Sequence, residues 1–125
     1  MTRTEIESWA AAYIRAQQDP TILEDDHPFW WAIENFMFNS DGPSAEDCWL
    51  AILEVLSRNP PKHVLGMLAA GPLEDLIEYC GPDFIERIEL ESLCNPAFRD
   101  LLGGVWESST PEVWARIEKT QQKLL

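Results

Sequence analysis

Residues 68–82 read LAAGPLEDLIEYCGP. A helix-forming run meets Gly71-Pro72, resumes, and meets Gly81-Pro82 ten residues later. Proline lacks the N–H that a helix interior needs, and its ring clashes with the carbonyl four residues back. A glycine can close one helix in the left-handed conformation, and a following proline can open the next with its φ already set. The two pairs therefore predict compact corners between short helices, and they exclude one long rod.

The rest of the chain repeats the same grammar. Thr4-x-x-Glu7 has the form of a capping box, and Ile6, Trp9, Ala10, Tyr13 and Ile14 then fall on one helical face. Asp19-Pro20 ends that helix, and Glu24-Asp25-Asp26 forms a loop. Pro28 suits the first turn of a second helix striped by Phe29, Trp30, Ile33, Phe36 and Met37. NSDGPS (39–44) breaks the pattern, and Ser44-x-x-Asp47 restarts it through Cys48, Trp49, Ile52, Leu53, Val55 and Leu56. That broad apolar arc predicts a helix near the domain centre. Asn59-Pro60-Pro61 stops it, and helices over 62–70, 72–80, 82–94 and 96–102 follow. Gly103-Gly104 interrupts, and Thr110-Pro111-Glu112 starts a last helix striped by Val113, Trp114, Ile117 and Leu124. No stretch alternates at period two, and no unit repeats three times as a solenoid requires. The expected fold is all-α: one domain over 1–125, a compact bundle of about six to seven short helices joined by Gly-Pro corners, with HEAT-like packing as one arrangement of them.

Charge narrows the function classes. Asp and Glu number 22 against 9 Lys and Arg, a formal net charge of −13. Phosphate binding needs clustered cations, so nucleic acid is an excluded partner, and an anionic membrane would repel the chain. The field favours a cationic protein, although acidity also serves solubility alone. No apolar run is long enough to span a bilayer, and MTRTEIESWAAAYIRAQQ lacks a signal-peptide apolar core. Cys48, Cys80 and Cys94 are odd in number and form no C-x-x-C, which points to reduced thiols packed as small hydrophobes in a cytoplasm.

Sites of chemistry are sparse. Glu24-x-x-His27 has the spacing of a di-iron half-site but lacks its second half, and Pro28 disfavours helix at His27. We read His27 as a surface histidine beside carboxylates, and we expect no metal and no cofactor. Cys80 is flanked by Glu78 and Asp83, whose charge opposes thiolate formation. No nucleophile motif accompanies His63. Carboxylates crowd one third of the chain, with Glu74, Asp75, Glu78, Glu86 and Glu89 as candidates for a docking face. Asp25 and Asp26 join them. Trp31 and Phe38, seven residues apart, share a helix side opposite the Phe29–Ile33–Phe36 stripe. Such a helix is either sandwiched in the core or offers one side to a partner, where Trp would anchor binding. Leu90 and Leu93 carry the same ambiguity.

LAAGPLEDL (68–76), GPDFIERIE (81–89), NPAFR (95–99) and LGGVW (102–106) together resemble a family of small bacterial domains of unknown function, over roughly residues 60–118. The resemblance implies a bacterial cytoplasmic protein. Within those segments Arg87 and Arg99 are scarce cations, expected to pair with Glu74, Asp75 or Glu91 and tie short helices together. Small acidic single-domain proteins of this kind often look like immunity proteins of toxin–immunity pairs. Three functions follow as expectations. The first is a non-enzymatic immunity-type inhibitor that occludes a cationic toxin, a nuclease being one candidate. The second is a structural, regulatory or self-associating helical module. The third is an enzyme of unrecognised type, which requires a cleft holding carboxylates and His27 or His63.

Overall fold

The computed structural model describes residues 1–38 and 40–122, Gln122 by its backbone alone; Asn39 of the first breaker and Leu124 of the last stripe lie outside the described residues. Among the described residues the chain is all-α, with no strand. Its helices are α1 (Arg3–Gln18), α2 (Trp30–Glu34), α3 (Ala45–Ser57), α4 (Lys62–Leu68), α5 (Glu74–Cys94), α6 (Pro96–Leu102) and α7 (Pro111–Gln122). A π-helical turn, Ala69–Leu73, joins α4 to α5.

The expected helix starts hold at α3 and α7, where Ser44 Oγ accepts from Asp47 N–H and Thr110 Oγ1 from Val113 N–H. At α1 the capping box begins two residues earlier than expected, at Thr2 with Glu5. Both Thr-x-x-Glu registers exist in the sequence. The earlier one places Arg3 on the helix, where it pairs with Glu7 and reaches the buried Glu54 of α3. Arg58 binds the other Glu54 oxygen at 3.0 Å, so this buried carboxylate is compensated twice.

Helices α1 and α3 pack along their lengths, and α5 closes the core from the other side with α6 and α7. Trp9 is fully buried; its indole N–H donates to the Ala32 carbonyl at 2.8 Å, and its ring lies 4.4 Å from that of Phe36. Trp49 on α3 stacks against Phe84 of α5 and Phe98 of α6. Arg87 lies over the Trp49 and Phe84 rings and pairs with Glu46, so it clamps α5 to α3. This corrects the expected pairing with Glu74, Asp75 or Glu91. Among the described residues Arg99 makes no ion pair.

The two Gly-Pro pairs behave differently, and neither uses a left-handed glycine. Among the described residues no glycine has a positive φ, and the left-handed positions belong to Asp26, Asn59 and Ser109. At Pro72 the chain widens into the π turn, and the Glu74 N–H reaches back to the Ala69 carbonyl. At Gly81-Pro82 the helix breaks where the sequence predicts: Cys80 leaves helical geometry (φ −133°, ψ 16°), so α5 is two helices meeting at a kink. Each distortion makes room for a proline ring, as bulges and kinks do elsewhere. The sequence also predicts a break at Gly71-Pro72; there a π turn instead carries α4 on into α5. The two glycines also differ. A Cβ on Gly81 would lie 2.5 Å from Ser109 Oγ and 3.0 Å from Val113 Cγ1, so Gly81 lets α7 and its leading loop approach α5. A Cβ on Gly71 would meet nothing within 4 Å.

Two further expectations change. Helix α2 is five residues long and closes in tight turns, with Phe36 N–H bonded to Ile33 and Met37 N–H to Glu34. It buries Ala32, and Phe36 beyond it, while Met37 is exposed. Of the three thiols only Cys48 is core; Cys94 is exposed at the end of α5. Burial pushes the Cys48 thiol up to about 12, with Asp47 adding to it.

Candidate protein-binding site

The acidic candidates separate into groups with different surroundings. Asp25 and Asp26 sit on the exposed α1–α2 loop with Glu24. Asp19 anchors the loop base: its carboxylate accepts from the Thr21 backbone and hydroxyl and from His27 Nε2 at 2.9 Å. The Thr21 hydrogen bonds, with His27 contributing, hold the Asp19 carboxyl down at about 2. The Phe29 N–H donates to His27 Nδ1, which leaves the ring proton on Nε2 facing Asp19. The His27 side chain is buried, so it is a strut and not the surface group expected.

That strut shapes a concavity of about 420 Å³ lined by Ile22, Leu23, Glu24, Asp25, Asp26, His27, Trp30 and Trp31. Leu23 is 85% exposed and Trp31 42% exposed. Among the described residues the side-chain carboxylates of Glu24, Asp25 and Asp26 have no hydrogen-bond or ion-pair partner. Asp26 holds a φ of 57°, a conformation that a non-glycine residue rarely adopts.

The acids of α5 are otherwise engaged. Glu74 accepts from the Trp106 N–H at 3.0 Å, and Glu78 from the Ser109 N–H at 2.8 Å. Together they hold the α6–α7 loop against α5. Glu89 pairs with Arg116 of α7 through both carboxylate oxygens. Glu86 is exposed, and its charge reaches Arg116. Asp75 turns to a different cleft, shared with α1 and α4. The nine candidates therefore do not form one surface. Trp31 joins Asp25 and Asp26, but Phe38 does not: with α2 so short the two aromatics share no helix side, and Phe38 packs against Tyr79 with ring centroids 5.5 Å apart.

Leu23 belongs to the acidic concavity and escaped the sequence reading, as did the place of Trp30 there, since Trp30 was read only as part of the helical stripe. The apolar pair Ile22-Leu23 directly before three acids is the signal that could have drawn attention to Leu23. Leu90 and Leu93 are exposed near the end of α5, which resolves their ambiguity toward the surface. Among the described residues no group of three or more His, Cys, Asp or Glu side chains is placed to hold a metal ion, and no helix is long and apolar enough to cross a membrane.

No curated protein and no solved structure matches the chain. A family model does, over residues 18–125, which extends the resemblance noted over 60–118 back through the acidic loop to the end of α1. Helix α1, with the core residues Trp9 and Tyr13, precedes nearly all of the matched stretch. The chain belongs to the family of unknown function DUF6869.

Proposed function

We propose that the chain is a protein-binding module whose α1–α2 loop receives a cationic protein. One observation carries the reading: the carboxylates of Glu24, Asp25 and Asp26 have no partner among the described residues and ring a concavity beside the exposed apolar groups of Leu23 and Trp31. An apolar anchor flanked by uncompensated charge supplies both affinity and steering. The finer form of the proposal is a bacterial cytoplasmic immunity-type inhibitor that blocks a toxin's active site, a cationic nuclease being the candidate. His27 lines the concavity, as an enzyme would require, but both its ring nitrogens are already engaged, which favours binding over proton transfer.

Co-expression with the products of adjacent genes in the source genome tests the proposal. Rescue from one toxic neighbour, lost in Trp31→Ala and in Asp25→Lys/Asp26→Lys, is the expected outcome. Rescue untouched by either variant would remove the mechanism. A self-associating module is the second reading, favoured by the exposed Leu90 and Leu93 near the end of α5. Light scattering that finds a dimer, dispersed by Leu93→Glu, would favour it.

A further inference from the structure

A second cleft, of about 140 Å³, lies where α1, the end of α2 and the π turn meet. The buried rings of Tyr13 and Phe36 form its floor, and the exposed Met37 and Met67 form its rim. Two polar groups in it are unsatisfied. The Tyr13 hydroxyl is buried and unbonded: the Gln17 side chain approaches without reaching hydrogen-bond geometry. The half-buried Asp75 carboxylate has no partner among the described residues. A buried polar group left unpaired is destabilising, so an orphan hydroxyl in a cleft is a ready partner for a bound polar group.

Gly71 completes the site. Its backbone is an ordinary one, and a Cβ there would touch nothing within 4 Å, so neither turn geometry nor packing requires a glycine. Within a helical run glycine is less stable than alanine. Gly71 lines the cleft, and its missing side chain leaves that wall open.

We propose that this cleft receives the side chain of a lysine from a protein partner, its aliphatic stem between Met37 and Met67 and its ammonium at the Asp75 carboxylate and the Tyr13 hydroxyl oxygen. Lysine stems bury readily along apolar surface, and methionine walls adapt to them. The ammonium supplies three donors for the three oxygens left unbonded, two of Asp75 and one of Tyr13. Burial pushes the Asp75 carboxyl up, and the neighbouring Glu74 and Glu78 add to it, the condition a bound cation reverses. The site deepens the binding function proposed above and rests on it for the source of the lysine. Its chemistry is tested apart from the rescue assay, so the two can fail separately.

The protein labelled with 13C in its methionine methyl groups is titrated with pentylammonium, with 1-pentanol, and with the blocked peptide acetyl-Ala-Lys-Ala-amide. Saturable shifts of the Met37 and Met67 signals with pentylammonium and the peptide, at least tenfold weaker with pentanol, are expected. Asp75→Asn is expected to weaken binding at least tenfold, Tyr13→Phe several-fold, and Gly71→Leu to abolish it. Gly71→Ala, which meets no neighbour, is expected to raise the melting temperature and to weaken binding by partial filling. Equal binding of pentanol, or an unchanged affinity in Asp75→Asn, would overturn the proposal. Binding of pentylammonium without the peptide would also overturn it, by assigning the cleft to a free amine.

Discussion

Two acidic regions of this chain look alike in sequence and behave differently in the fold. On the α1–α2 loop, the carboxylates of Glu24, Asp25 and Asp26 bind nothing of their own chain among the described residues. On α5, Glu74 and Glu78 hold the backbone of the α6–α7 loop, and Glu89 holds Arg116 of α7. A carboxylate that already accepts a backbone N–H is an internal fastener, and its charge is partly used. The contrast teaches that a net charge of −13 does not tell free carboxylates from fasteners; their partners do.

The comparison can be broken at its strongest point first. Gly81→Ala pushes a Cβ against Ser109 and Val113, so the α5–α7 contact should loosen, at a cost of about 1–3 kcal/mol in denaturant unfolding. An unchanged midpoint would mean that this contact is not close-packed in solution. Glu78→Ala removes one fastener and should cost about 0.5–1.5 kcal/mol, with faster amide exchange at Ser109. Asp25→Asn/Asp26→Asn should leave stability within about 0.5 kcal/mol while slowing capture of a cationic partner, most visibly at low salt. Equal destabilisation by the loop and the α5 variants would erase the distinction between the two regions.

The smallest effect sharpens the comparison through pH. The folded Asp19 carboxyl is held at about 2, below its ordinary 3.8. A depressed carboxyl contributes stability that is complete above the unfolded value and is lost as pH falls through the folded one. The Thr21 amide signal should therefore hold its position down to about pH 3 and move between pH 3 and 1, and Asp19→Asn should remove that step. A Thr21 signal that titrates near pH 4 would show the loop base to be loose.

Much of the fold was legible. Ser44 and Thr110 cap the helices they were expected to cap, because a hydroxyl before an acid-rich first turn has few other uses. Trp9, Tyr13, Ile52 and Val55 are buried as their spacing predicts. Gly81-Pro82 marks the kink it was expected to mark, whereas Gly71-Pro72 misled because the same dipeptide can also sit inside a π turn, and only the neighbours decide which. Trp31, which the sequence left open between core and surface, is partly exposed beside Asp25 and Asp26, and pairing it with Phe38 assumed a helix that stops after Glu34.

Local chemistry is written in the order of residues: which segments wind into helices, where each begins, and how much negative charge the surface must carry. Who meets whom is not. That Arg87 would find Glu46, that Glu74 and Glu78 would be consumed by a loop some thirty residues on, and that Tyr13 would be buried without a partner beside Asp75 depend on how the helices stack. Partnership between distant groups is a property of packing, because the geometry of a hydrogen bond is set within a few tenths of an ångström and sequence spacing constrains it only inside a single helix.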